Sequence, residues 1–153
     1  GWIFDDPDHL EGYQEWQGDD LYAAYFATVA EAARSGLFQI MGHPDVIRVF
    51  GFPCQSPLLE LAMPALEAIA AADVAIEINT NGKYKPVGEY YPNIALLKAA
   101  YRLGIPITLG SDAHEPANVA RDFQDAVNLL REVGYKSIVT FHQKQRLEYQ
   151  IAL

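Results

Sequence analysis

Apolar and polar positions along the chain follow two alternating rhythms. Residues 19–36, DDLYAAYFATVAEAARSG, place apolar side chains three and four apart behind two acids, with Gly36 as a stop, and predict a helix. LFQIMG (37–42) is short and largely apolar, and predicts a buried strand. SPLLELAMPALEAIAAAD (56–73) predicts a second helix, with Ser56 as N-cap and Pro57 in the first turn, where its missing N–H does no harm. Pro64, further in, should kink or divide that helix. VAIEIN (74–79) is a second strand, NIALLKAAYRLG (93–104) a helix closed by Gly104, and IPITLG (105–110) a third strand. VARDFQDAVNLLREVG (119–134) predicts a helix stopped by Gly134, KSIVTFH (136–142) a fourth strand, and QRLEYQIA (145–152) a last short helix.

Helix and strand alternate with short links, and the strands are apolar on both faces. That combination predicts an α/β fold with a parallel sheet, about four strands covered by helices. There are no internal repeats and no low-complexity segments. The polar residues then fall on one edge. His43 lies just past the first strand, Glu77 and Asn79 end the second, Asp112 and His114 follow the third, and His142 ends the fourth. Reacting groups collect at the carboxyl ends of strands in parallel α/β folds, so this edge is the expected site.

Composition narrows the picture. At 153 residues the chain has room for one domain with a real core. Half of it is hydrophobic, which argues against disorder, and its net charge of −9 argues against a nucleic-acid surface. No apolar run reaches the ~20 residues of a membrane helix. Cys54 is alone, so no intrachain disulfide can form, consistent with a reducing, cytoplasmic setting. The opening GWIFDDPDHLEGYQEW has no initiator Met, basic region or apolar signal core, and reads as the interior of a longer protein. Nucleotide-binding and serine-hydrolase signatures are missing.

Asp112 and His114 stand two apart in an extended segment, where side chains i and i+2 point the same way and can converge on one cation. The bland reading is a polar turn in which Ser111 or Asp112 caps a helix near Pro116. His43, between Gly42 and Pro44, is a third candidate ligand, and Asp45 could orient it or cap the next turn. Glu77, an acid in an apolar strand, needs a partner: a cation, an Arg or a metal-bound water. Arg48, Lys83 and Lys85 follow the first and second strands and could meet a phosphate, although surface lysines are by default solvated. His9, in an acidic stretch, reads as solvent-exposed. Cys54 has no companion base to make it a nucleophile.

Taken together, GHPDVIRVFG, EINTNGKYKPVGEYYP and ITLGSDAHEP resemble the polymerase-and-histidinol-phosphatase (PHP) superfamily, and most closely its histidinol-phosphate phosphatase branch. The resemblance spans nearly the whole chain, with the three stretches in the family's order. It implies part of a distorted, TIM-like (β/α)7 barrel with up to three divalent metals (Zn, Mn or Fe) at the strand ends. By similarity His43, Asp112 and His114 are metal ligands and the phosphate-binding basic residues map to the Lys83–Lys85 loop. In the reaction so implied Asp112 and His114 act at the reacting centre, and Arg48 is expected to join Lys83 and Lys85 at the phosphate. The implied activity is hydrolysis of L-histidinol phosphate in histidine biosynthesis. The alternatives are another PHP phosphoesterase and a non-catalytic metal- or partner-binding module. The family often has Arg where Tyr84 stands, and its N-terminal motifs (His-x-His, a further His, a metal-bridging Glu) are not found. Residues 1–153 therefore read as the C-terminal portion of one PHP domain, expected to be poorly active alone. It should need its N-terminal portion or pair with another copy, and no nucleic-acid or membrane partner is expected.

Overall fold

The computed structural model describes residues 3–151. The terminal residues, including Gly1, whose predecessor the resemblance takes to be a ligand His, and Ala152 at the end of the expected last helix, lie outside the described residues. Helix α1 (Asp20–Arg34) leads to the short strand β1 (Ile40–Met41), and α2 (Leu58–Ala71) to β2 (Ala75–Asn79). Helix α3 (Ile94–Arg102) leads to β3 (Ile107–Gly110), and α4 (Phe123–Val133) to β4 (Ser137–His142) and β5 (Gln145–Gln150).

Strands β1, β2 and β3 form a parallel sheet in that order, with Ile40 beside Ala75, Ile76 beside Ile107 and Asn79 beside Gly110. The apolar run of β2 is there because both its faces are covered. Ile76 and Ile78 have no exposed surface, and Ile69 and Leu66 of α2 with Leu96 and Leu97 of α3 close over them. Each such side chain contributes about 1.5–3 kcal/mol through burial. This packing fixes where β2 ends, and hence where Glu77 and Asn79 project.

Five expectations are corrected. The fourth strand does not join the parallel sheet: β4 pairs antiparallel with β5, Ser137 opposite Gln150 and His142 opposite Gln145. Residues 145–150 are therefore strand, not helix. The turn between them is the two residues Gln143 and Lys144, both at positive φ (49° and 65°), the backbone that a tight hairpin demands. Pro64 does not divide α2, which runs unbroken through it. Ser56 does not cap α2; its backbone N–H donates to the Asp19 carboxylate at 3.0 Å, and Pro57 takes the cap position. Helix α4 also starts later than its apolar spacing suggests, because Ala120 and Asp122 take left-handed backbone (φ 61° and 60°). None of the described helices is long and apolar enough to cross a membrane.

Candidate active site

The carboxyl ends of the three parallel strands are tied together by Glu77. Its Oε2 accepts the His43 backbone N–H at 3.0 Å and the Asn79 side-chain N–H at 3.1 Å. The carboxylate thereby reaches the turn after β1, and its other oxygen lies against the end of β3. A Cβ on Gly110 would fall 1.7 Å from Oε1, so any larger residue there must displace the carboxylate. In place of the cation, Arg or metal-bound water expected for Glu77, its partners among the described residues are two neutral donors, the His43 backbone N–H and the Asn79 side-chain amide.

Asn79 pins the next loop. Its backbone N–H donates to Tyr91 O at 2.7 Å, and Tyr91 N–H returns a bond to Asn79 O at 3.1 Å. Tyr91 is buried, and its ring meets that of His43 edge-on at 6.5 Å. Gly82 allows this approach, since a Cβ there would sit 2.3 Å from Glu89 O and under 3 Å from the Tyr91 ring.

His43, Asp112, His114 and Lys85 open onto one hollow of about 170 Å³ at this edge, joined by Asp5 from the N-terminal segment. Val46, Val49 and Tyr91 complete its wall. His43 and Asp112 both hold positive-φ backbone (27° and 46°), which Asp and His adopt more readily than most residues and which here turns both side chains out of the strand direction. His114 Nδ1 lies 2.9 Å from the Asp112 backbone carbonyl. A carbonyl can only accept, so Nδ1 carries a proton, and in the neutral ring Nε2 then keeps its lone pair, the tautomer required of a metal ligand or proton acceptor. Asp112 Oδ2 accepts from Asn81 Nδ2 at 3.3 Å. The donors are of the mixed imidazole and carboxylate kind that suits Zn, Mn or Fe. Among the described residues, however, no three His, Cys, Asp or Glu side chains come close enough together to hold an ion unaided. The donor set fits such a metal in kind and falls short in number.

Other candidates sit elsewhere. Asp45 does not orient His43. It is wholly buried and its Oδ2 takes Arg48 Nη1 at 2.9 Å and the Asn93 backbone N–H at 2.8 Å. Burial pushes its carboxyl above the ordinary value, against the pull of Arg48. Arg48 also donates to Glu89 at 2.5 Å, so its guanidinium is spent on two carboxylates rather than turned to the hollow. Lys83 pairs with Asp122 (3.4 Å) and Asp125 (3.9 Å) and lines a separate hollow with Tyr90 and Glu89. His142 is exposed beside the hairpin turn, and His9 lies by Glu11 and Asp6. Neither Ser111 nor Asp112 caps the turn at Pro116–Asn118, where Glu115 holds the cap position; Ser111 Oγ accepts instead from Ala120 N–H at 3.1 Å.

Asp5, Tyr91 and Asn81 are site residues that sequence reasoning did not single out, as is Arg121, described below. Asp5 sits in FDDPD, whose acids read as plain surface charge. Tyr91 was legible only as part of EYYP, and nothing in the spacing links Asn81 to Asp112.

No family model matches the chain. A Deinococcus radiodurans protein named "Probable histidinol-phosphatase" is 42% identical over 145 residues, which is 95% of this chain and 55% of that protein. A crystal structure from Listeria monocytogenes, of HisK, a protein assigned by name as a histidinol phosphatase, superposes with a TM-score of 0.59 at 27% identity. The match covers 68% of this chain and 43% of HisK. The chain thus spans about half the length of the curated relative it matches. In sequence and in fold the chain is similar to proteins that carry the histidinol-phosphatase name, the branch its motifs resemble, over a part of their length.

Proposed function

We propose that this chain is the C-terminal portion of a PHP-type (β/α)7 barrel that hydrolyses a phosphomonoester, L-histidinol phosphate, with divalent metals at the strand ends. The observation that carries the reading is the meeting of His43, Asp112, His114 and Lys85 around one hollow, in a chain so similar to a protein of that name. Bound metal would supply a water of lowered pKa and draw charge from the phosphoryl oxygens. His43 and Asp112 would hold it with ligands from outside this chain's own described set. His114, with Nε2 bare, would bind a further ion or face the leaving-group oxygen. Lys85 would neutralise the phosphate, while Glu77 keeps the turn carrying His43 in place through its backbone N–H.

The shortage of convergent ligands supports the expectation that residues 1–153 alone turn over poorly. The exposed edge agrees: β1 pairs only with β2, and Leu37, Phe38 and Ile40 beside it are 72%, 49% and 38% exposed. Such an edge calls for a neighbour, either the N-terminal portion of the barrel or a second copy. The same shortage favours a second reading, a module that binds metal or a partner without turnover.

The test is phosphate release from L-histidinol phosphate against a panel of other monoesters, using the protein at its natural length. Preference for histidinol phosphate, lost in Asp112→Ala, supports the assignment. Undiminished activity in Asp112→Ala refutes it, broad turnover of the panel points to another PHP phosphoesterase, and stoichiometric metal without turnover points to the module.

A further inference from the structure

Arg121 is held unlike any other cation near the site. Its Nη2 donates to Asn81 Oδ1 at 3.0 Å and its Nη1 to Asn118 Oδ1 at 3.2 Å, both neutral oxygens. The guanidinium carbon lies 3.4 Å from the centroid of the Tyr84 ring. Its backbone carbonyl accepts from Thr80 Oγ1 at 2.7 Å, and its Nε is buried without a partner. Among the described residues no carboxylate comes within ion-pairing distance of it, whereas Arg48 has two and Lys83 has two. Asn81, which it fixes, gives its own N–H to Asp112 Oδ2.

The result is a guanidinium immobilised by stacking and amide bonds, its charge not paired with a carboxylate, one amide away from a carboxylate that opens onto the hollow. Two of its five N–H groups are engaged and the Nε–H is buried, so one N–H on each of Nη1 and Nη2 remains for an incoming oxyanion. A planar fork suits phosphate oxygens, and pre-positioning lowers the entropy lost on binding. Arg121 is not itself a wall residue of the hollow; Asn81 links it to Asp112, which is. We propose that Arg121 binds a non-bridging oxygen of a phosphoryl group seated beside Asp112, a task closed to Lys83 and Arg48 because both are paired with carboxylates. The inference rests on the phosphatase reading for the class of ligand, and it adds the residue that recognises that ligand's charge.

The test uses the protein at its natural length and inorganic phosphate as the probe, with binding followed by calorimetry beside steady-state kinetics and thermal unfolding. Arg121→Ala should weaken phosphate binding about tenfold, the loss of one charge-assisted contact. KM for histidinol phosphate should rise by a similar factor while kcat moves less than about threefold, the mark of binding lost equally from ground and transition states. Should Arg121→Ala not fold, Arg121→Gln, which keeps a donor for Asn81 and removes the charge, is judged by the same criterion. Unchanged phosphate affinity overturns the proposal, and so does a fall in kcat at constant affinity, which would mean that Arg121 acts only by holding Asn81 and Asp112. Weakened phosphate binding in a protein that leaves histidinol phosphate intact would keep Arg121 and remove the phosphatase reading. Turnover with unaltered phosphate affinity would do the reverse.

Discussion

The turn after β1 and the turn after β3 hold similar residues and treat them in opposite ways. After β1, Asp45, Arg48 and Glu89 pair with one another: Asp45 is fully buried, its Oδ2 bridged by Arg48 to Glu89 and its Oδ1 left without a partner, while Asn93 closes the ring through bonds to both acids. After β3, Asp112 and His114 are exposed, and their hydrogen bonds go to an amide and a backbone carbonyl. The first arrangement clamps the loop 80–92 onto the β1 turn and leaves its charges no capacity for a ligand. The second leaves charge and lone pairs facing the hollow. Residue type alone does not separate an ion pair that holds a fold from a group that binds something; the difference lies in whether its neighbours already answer it.

Breaking the open side should cost activity and little stability. On the phosphatase reading, Asp112→Ala in the protein at its natural length is expected to lower phosphate release about 10³-fold or more, the scale of several kcal/mol of charge stabilisation. Its unfolding free energy should fall by about 1 kcal/mol at most, because the side chain is exposed and the cost is that of alanine at positive φ. Breaking the clamp should do the opposite first. Asp45→Ala leaves Arg48 Nη1 and the Asn93 N–H without their acceptor, and should cost about 3 kcal/mol or more in denaturant unfolding. A stable Asp45→Ala, or a strongly destabilised Asp112→Ala, would reverse the contrast between the two turns.

Gly110→Ala probes the tie between them. The new Cβ must displace the Glu77 carboxylate, which holds the His43 N–H and the Asn79 side chain. A cost of about 1–3 kcal/mol is expected for this overpacking, with a further loss of activity as the His43 turn loosens. Pairing it with Glu77→Ala gives a check: the double variant should be less destabilised than the two single changes added together, since removing the carboxylate makes room for the methyl group. Additive effects would mean that Glu77 is not what Gly110 accommodates.

Much of this arrangement was legible along the chain. The alternation of helix and strand and the placing of His43, Glu77, Asp112 and His114 at strand ends follow from periodicity, because burial on both faces of β2 leaves a pattern in the residues themselves. What periodicity could not give is pairing. Residues 145–150 alternate polar and apolar, with Leu147 and Tyr149 on one face, and that rhythm belongs to the β5 of a hairpin. Nor could spacing show that Asp45 turns to Asn93, 48 positions away, or that Lys83 is taken up by Asp122. Lys85 and Lys83 are two apart and chemically alike, yet only Lys85 reaches the hollow, because Lys83 belongs to the tight turn of Asn81–Tyr84 that leans on α4.

The smallest effect tests the clamp by pH. The hydrogen bond from Arg48 holds the Glu89 carboxyl below the ordinary carboxylate range, whereas burial pushes Asp45 above it. The two therefore act with opposite sign. Glu89 binds its proton less readily folded than unfolded, so its contribution is present above the ordinary carboxylate pKa and is lost as the pH falls through the lowered folded value. Asp45 binds its proton more readily folded, so its contribution is largest below the ordinary value and fades as the pH rises through the raised one. Glu89→Gln should accordingly remove part of the loss of stability on the acid side, below about pH 4, and leave the slope at higher pH to Asp45. The effect should be modest, since Glu89 is half exposed and solvent screens its charge. Unfolding curves of parent and variant that differ by the same amount at every pH would show that the Arg48–Glu89 bond does not set the Glu89 charge, and the clamp would then rest on Asp45 alone.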